Sequence, residues 1–220
     1  MIAWDSQNYT TEIILENKQF APFAYILKFR RKFKFIAGQV VGLGINKALE
    51  PRLYSIASGE NDDCIEILYT EKPDGKLTPM LSVLNAGDSI LVSKPFGSYT
   101  DCPDSPVWIA TGTGIAPFIS MLKSGKGRHA TLIHGVRVIE SFYFSDFLKT
   151  SLGNSYIQCC SSQCETSIYH GRVTDYLKVQ SLNPSKKYYL CGVAEMVVEV
   201  RDILISKGVT FNNIIAEIYF

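Results

Sequence analysis

Long hydrophobic runs are missing from this 220-residue chain. No apolar stretch approaches the roughly 20 residues that a membrane-spanning helix needs. The first residues, Met1-Ile-Ala-Trp-Asp5, show neither a basic segment nor an apolar stretch of the secretory kind, so a cytoplasmic protein is expected. An excess of charge of one sign is also missing: 22 Lys and Arg against 21 Asp and Glu leave a net charge of +1, which argues against bulk nucleic-acid binding. Cysteine is present but not in metal-binding order. Cys64, Cys102, Cys159, Cys160, Cys164 and Cys191 lack the paired short spacings of zinc or iron–sulfur sites. The one crowded group is Cys159-Cys160-x-x-x-Cys164 with His170 nearby. Adjacent cysteines do not readily face a single tetrahedral ion, so reduced, mostly buried thiols are expected there and no metal. Polar low-complexity tracts are absent, and 46% hydrophobic against 20% charged residues describes a folded chain with a sizeable core.

What is there divides into two styles of sequence. Residues 9 to 100 hold short β-rich runs separated by turn residues, with strands expected at Tyr9 to Leu15, Ala24 to Phe35, Gln39 to Leu43, Leu53 to Ala57, Cys64 to Thr70 and Ser89 to Ser93. So many short strands predict an antiparallel barrel. In the second run Phe29, Phe33 and Phe35 alternate with Lys28, Arg30, Lys32 and Lys34. That pattern fits either a lysine-protected edge strand or a docking surface for an acidic protein. After Asp101-Cys-Pro-Asp-Ser-Pro106 strands alternate with helical stretches, the signature of a parallel sheet. Strands are expected at Val107 to Thr111, Ala130 to Gly135, Ser155 to Cys160, Lys187 to Cys191 and Ile214 to Phe220, and helices at Pro117 to Lys123, Ser141 to Lys149 and Glu195 to Lys207. The expected fold is therefore two-domain, β plus α/β: an antiparallel barrel over residues 1–101 and a parallel-sheet domain over 102–220.

Four short motifs carry chemistry. Arg52-Leu53-Tyr54-Ser55 supplies a cationic fork suited to phosphate, a flat ring and a hydroxyl on one expected strand. Together these suit a flavin with its pyrophosphate. Gly75-Lys76-Leu77-Thr78 is a turn leading into a threonine that starts a helix, either a plain N-cap or a further pyrophosphate contact. Thr111-Gly112-Thr113-Gly114-Ile-Ala-Pro117 joins the first strand of the second half to its first helix. It is not a G-x-G-x-x-G fingerprint, but glycines at the carboxyl end of a parallel strand, ahead of a helix N-terminus, suit a nucleotide. Cys191-Gly192-Val-Ala-Glu-Met196 repeats that placement, with Cys191 at the rim.

The order R-L-Y-S, G-K-L-T, P-F-G-S-Y, G-T-G-I-A-P-F, H-G-V-R, G-R-V-T, C-G-V-A-E-M and a terminal E-I-Y-F resembles the ferredoxin–NADP reductase family, and most nearly its bacterial ferredoxin/flavodoxin reductases, over nearly the whole chain. The resemblance implies tightly bound FAD on the barrel half and NADP(H) as cosubstrate on the α/β half. It also implies exchange of single electrons with a ferredoxin or flavodoxin, which the basic Lys28 to Lys34 run would suit if acidic, in a protein expected to be a monomer. Carried over by position, Arg52 holds the pyrophosphate, Tyr54 stacks on the isoalloxazine and Ser55 hydrogen-bonds near its reactive nitrogen. Leu53 and Tyr69 complete the flavin set, and Gly75, Lys76, Leu77 and Thr78 the diphosphate site. Thr113 lies between the cofactors, with Gly112, Gly114 and Gly192 lining the nucleotide. Cys191 and Glu217 join Ser55 at the reacting atoms. Tyr219 covers the flavin until nicotinamide displaces it, and Phe220 packs on adenine.

Nucleotide choice is divided. Two of the arginines that gather at the 2′-phosphate in relatives have counterparts, Arg137 and Arg172, whereas Ser161-Ser162-Gln163 replaces the third. No acid has replaced it, and both serines can donate to phosphate, so NADPH is favoured with relaxed specificity as the competitor. Exposed ion pairing of the two arginines would serve neither nucleotide. A free-flavin reductase using NAD(P)H, or a non-catalytic flavin sensor, would share this fold. Arg52 and Lys76 argue against the first, and Cys191, Glu217 and Tyr219 against the second.

Overall fold

The computed structural model describes residues 9–219. The chain forms two units, one built from the segment ending at Thr100 together with Ala116–Ser124, the other from Asp101–Ile115 and Gly125 onward.

The first unit contains β1 (Tyr9–Ala21), β2 (Ala24–Arg30), β3 (Val40–Gly44), β4 (Arg52–Ser55), β5 (Cys64–Thr70), the short helix α1 (Thr78–Ser82) and β6 (Ser89–Ser93). Its strands form one sheet in the order β4-β3-β6-β1-β2-β5, with antiparallel pairing throughout. The two ends of that order meet through the Ile56↔Ile67 bridge and the bond from Ala57 N–H to the Glu66 carbonyl at 2.8 Å, which closes the sheet into a barrel. Inside lie Ile14, Leu27, Phe29, Leu43, Ile56, Ile65 and Ile67. Each such side chain contributes about 1.5–3 kcal/mol on burial.

Two strand limits in this unit differ from expectation by more than about two residues. β1 runs on to Ala21, because the polar stretch Glu16 to Gln19 pairs with Lys28 to Tyr25 and needs no apolar alternation on a mostly solvated ribbon. β2 stops at Arg30, opposite Cys64, where its partner strand begins; the Arg31 side chain then bonds the Asp62 carbonyl at 2.6 Å. The inward and outward alternation persists beyond that point, with Phe35 buried and Lys32 and Lys34 exposed. Lys28 pairs with Glu16 and Glu66 (3.1 and 3.4 Å) and Lys32 with the buried Glu12 (2.9 Å), so much of the expected basic surface is committed to internal carboxylates.

The β1–β2 turn places Phe23 in the left-handed region at φ 59°, with the residue 59% exposed. A side chain there costs on the order of 1–2 kcal/mol. Phe23→Gly is therefore expected to raise the urea midpoint, corresponding to about 1 kcal/mol. A lowered midpoint would show that ring contacts outweigh the strain.

α2 (Ala116–Lys123) groups with this unit. Ser120 donates to the Ser58 carbonyl at 2.6 Å, Glu60 N–H donates to Ser124 at 3.0 Å, and Lys123 forms an ion pair with Glu66.

The second unit contains β7 (Val107–Thr111), β8 (Thr131–Val136), α3 (Ser145–Leu152), β9 (Tyr156–Cys160), β10 (Tyr169–His170), α4 (Val173–Val179), β11 (Tyr188–Val193), α5 (Ala194–Ser206) and β12 (Ile214–Tyr219). The sheet is wholly parallel in the order β10-β9-β8-β7-β11-β12. The chain winds outward from β7 to β10 and then returns to the other side of β7 with β11. Strand order therefore reverses between β7 and β11, which opens a crevice at their carboxyl ends. The near-continuous burial of β7 and β11 is that of strands covered on both faces. Ile109, Ile133 and Leu190 pack with Val197, Val200 and Leu204 of α5.

Candidate functional site

In the first unit β4 is a short end strand in register with β3, with Tyr54 opposite Val41 and Ser55 opposite Val40. Arg52 and Leu53 are exposed, Tyr54 is half-buried and Ser55 is buried. Burial pushes the Tyr54 phenol upward, and the nearby Arg52 charge opposes that shift. Behind Tyr54 stands Tyr69, edge-on at 6.4 Å and 78°. Tyr69 is only 1% exposed, stacks on Tyr25 at 5.2 Å and donates to Asn17 at 3.0 Å. It therefore braces Tyr54 from within the barrel and presents no face of its own to a ligand. Asn17 also donates to the Leu81 and Leu84 carbonyls, each at 2.8 Å, fastening α1 to the same aromatic group. A lone asparagine in a polar strand gave no sign of that role.

The Gly75 turn is held from within. Gly75 N–H donates to the Lys72 carbonyl at 2.8 Å, and Lys72 N–H donates to the Thr78 hydroxyl at 2.9 Å. Thr78 is the first residue of α1 and closes this loop; Leu77 occupies the cap position and makes no side-chain cap bond. The N-cap expectation for Thr78 is thus corrected. Leu77 is 4% exposed and anchors the turn in the core, while Lys76 is exposed.

In the second unit the glycine loop is a single 3-10 turn, Gly112–Ile115, leaving β7. Gly112 has φ +54° and nothing within 4 Å of where a Cβ would be, so its outer face is open and only glycine adopts the backbone without strain. Gly114 is the opposite case: a Cβ would stand 2.2 Å from the Cys191 carbonyl oxygen. The loop is therefore seated directly on the end of β11. Gly192 seats it from the other side, a Cβ there lying 2.2 Å from Thr111 Oγ1. Thr113 is half-exposed on this turn.

Cys191 and Glu217 are register partners on β11 and β12, with Sγ 3.7 Å from Oε2. Cys191 is fully buried. Burial, with the Glu217 charge adding to it, pushes the thiol well above its ordinary range, while Tyr219 opposes the shift. The carboxyl end of this strand pair thus brings Cys191, Glu217 and Tyr219 together. Phe220 lies outside the described residues.

The arginines stand at the carboxyl ends of β8 and β10. Arg137 is exposed, and its carbonyl accepts from Ser162 N–H at 3.1 Å, from the Ser162 hydroxyl and from Cys160 Sγ at 3.3 Å. Through that bond the exposed Ser162 hydroxyl braces the Arg137 backbone. Ser161 is exposed, with its N–H on the Val136 carbonyl at 3.1 Å. Arg172 pairs with Glu199 at 3.6 Å, both side chains exposed. Such a pair is worth about 0–1 kcal/mol and yields readily to a phosphate. Cys159 and Cys160 are buried, and burial pushes the Cys159 thiol up to about 12. Among the described residues no three of His, Cys, Asp and Glu stand together as metal ligands, and no helix is long and apolar enough to cross a membrane.

Residues 108–202 match the family described as the oxidoreductase NAD-binding domain. The flavodoxin/ferredoxin–NADP reductase of Buchnera aphidicola subsp. Baizongia pistaciae is 31% identical over 199 residues, covering 79% of this chain and 80% of that protein. Ferredoxin–NADP reductase A of Sorangium cellulosum is 27% identical over 238 residues, covering 93% and 86%. A solved structure of a ferredoxin NADP+ reductase from Neisseria gonorrhoeae with bound FAD and NADP is similar at a TM-score of 0.86 and 26% identity, covering 97% of this chain and 99% of that one. Fold and likeness together define the class, an electron-transfer oxidoreductase of two units. Within that class the chain belongs to the ferredoxin–NADP reductase family.

Proposed function

We propose that the chain is an FAD-dependent oxidoreductase that exchanges electrons between NADP(H) and a separate acidic carrier, a ferredoxin or flavodoxin. The observation that carries this reading is the crevice where strand order reverses: the glycine loop leaves β7 there, and Cys191 with Glu217 stands at the neighbouring strand end. The residues fit the two groups. Gly112 offers an open backbone face to a nucleotide, and the exposed Arg52 beside the half-buried Tyr54 offers a charge and a ring to a flavin pyrophosphate and its isoalloxazine.

Bound FAD supplies the conversion of a two-electron hydride donor into one-electron steps. The chain positions it. Arg52 grips the pyrophosphate, with the exposed Lys76 as a further cationic donor. Tyr54 presents its ring with Tyr69 behind it, and Leu53 and Ser55 flank it. On the nucleotide side Gly112, Thr113, Gly114 and Gly192 shape the backbone cradle. Cys191 stays a neutral thiol beside Glu217, so it excludes water from the reacting ring without placing a second negative charge there. Arg137 and Arg172 supply the positive charge that favours NADPH, Arg172 by leaving Glu199. The carrier is inferred from what the named relatives reduce. Six free cysteines suit a reducing cytoplasm, and the reading takes the protein as a monomer.

Anaerobic titration of the purified protein with NADPH and then NADH tests this. The yellow colour is expected to survive desalting, and NADPH is expected to bleach it at the lower concentration. A colourless eluate would defeat the FAD assignment, and reduction by NADH alone would defeat the role given to Arg137 and Arg172.

A further inference from the structure

His134 opens the His134-Gly-Val-Arg137 stretch of β8 and is register partner to Ala110 on β7, two residues before the glycine loop begins. It is fully buried. Its Nδ1 lies 3.1 Å from the Tyr156 hydroxyl, and the Phe142 ring meets it edge-on at 5.3 Å and 79°. Burial pushes the imidazole down to about 3, so the ring is neutral and carries a single N–H. Tyr156 decides which nitrogen has it. The Ser145 and Gln158 side chains act on the phenol oxygen as donors, easing its ionisation against the dominant effect of burial. In the arrangement that leaves both of those side chains as donors, Tyr156 donates to Nδ1 and the imidazole proton is on Nε2.

Nε2 is buried and closes no hydrogen bond among the described residues, and the Gly112 backbone lies near enough to the ring to favour its charged form. Buried donors left in that state are rare and call for an explanation. Catalytic and binding hydrogen bonds that are poorly aligned in a ligand-free protein commonly tighten in the complex.

We infer that His134 is a positioning residue for the glycine loop, its Nε2–H taking the Gly112 carbonyl when the loop receives a dinucleotide. This rests on the nucleotide reading of the loop. In a planar trans peptide the carbonyl and the following N–H point in opposite directions. Drawing the Gly112 carbonyl inward therefore turns the Thr113 N–H outward, as a donor to the ligand. His134 touches no ligand and acts through one peptide plane.

The test uses 15N-labelled protein and the probes NADP+ and 2′-phospho-AMP, which lacks the pyrophosphate and nicotinamide. The histidine 15N shifts should show an Nε2–H tautomer that does not titrate between about pH 5 and 8, where an unperturbed imidazole would. His134→Phe should weaken NADP+ about threefold to tenfold, the loss of one hydrogen bond, and leave 2′-phospho-AMP unchanged; His134→Gln should restore part of the loss. Should His134→Phe fail to fold, Tyr156→Phe supplies the same readings, with mixed tautomers and a smaller loss for NADP+. An Nδ1–H tautomer, equal losses for both probes, or no loss for either would overturn the inference. A wild-type protein that binds neither probe would instead defeat the nucleotide reading, and this role with it.

Discussion

Gly114→Ala is expected to weaken nucleotide binding about fivefold to a hundredfold, the equivalent of about 1–3 kcal/mol of overpacking, while the flavin stays bound. The added Cβ would lie 2.2 Å from the Cys191 carbonyl oxygen, 2.6 Å from its carbon and 2.9 Å from Gly192 Cα. All three are backbone atoms, so no rotamer change relieves the contact. The loop must lift from the end of β11 by roughly 1 Å to reach ordinary van der Waals separation, and displacement on that scale is enough to spoil a positioned ligand. Gly112 gives the contrast. Nothing stands within 4 Å of a Cβ there, and its substitution would act through the left-handed φ alone. The proposed flavin contacts, Arg52 to Ser55 and Gly75 to Thr78, belong to the other unit. KM for NADPH and the affinity for NADP+ should therefore change, with flavin content per chain constant. A KM within about twofold of wild type would show that the loop accommodates the methyl group and that its seating on Cys191 is not what shapes the site.

The barrel and the parallel sheet were legible in the sequence because their period is local. Phe29 between Lys28 and Arg30 declares a face, and the apolar run from Val107 to Ala110 declares a strand covered on both sides. The extension of β1 was not legible, since Glu16 to Gln19 alternate nothing and are held by pairing with β2. Nor could the chain announce that Ala116–Ser124 would group with the barrel, because Ser58, Glu60 and Glu66 lie about sixty residues away. At the site, residue types were visible and proton assignments were not. Ser162 was visible as a polar residue, but the bond of its hydroxyl to the Arg137 carbonyl was not. Thr78 looked like a cap until it closed the Lys72 turn. His134 was visible only as the start of H-G-V-R, for a buried histidine shows its role only through the groups packed round it.

Arg52→Ala should release the flavin. A charge-assisted bond to phosphate is worth about 1.5–3 kcal/mol, so retention of FAD is expected to fall roughly tenfold to a hundredfold, enough for colour to be lost on a desalting column. Because Arg52 is exposed on a short end strand, the fold itself should be affected by no more than about 0.5 kcal/mol. The melting temperature of the flavin-free protein then separates a lost ligand contact from a damaged barrel. Arg52→Lys keeps the charge but not the planar fork that pairs with two phosphate oxygens, so it should fall between the alanine variant and wild type. FMN, which has no pyrophosphate, should distinguish the variants less than FAD does. If Arg52→Ala holds FAD as tightly as wild type, the pyrophosphate is gripped elsewhere, and Lys76 becomes the residue to remove next. If instead FAD and FMN weaken alike, Arg52 acts through Tyr54, whose phenol already feels its charge, and its part is to hold the ring in place.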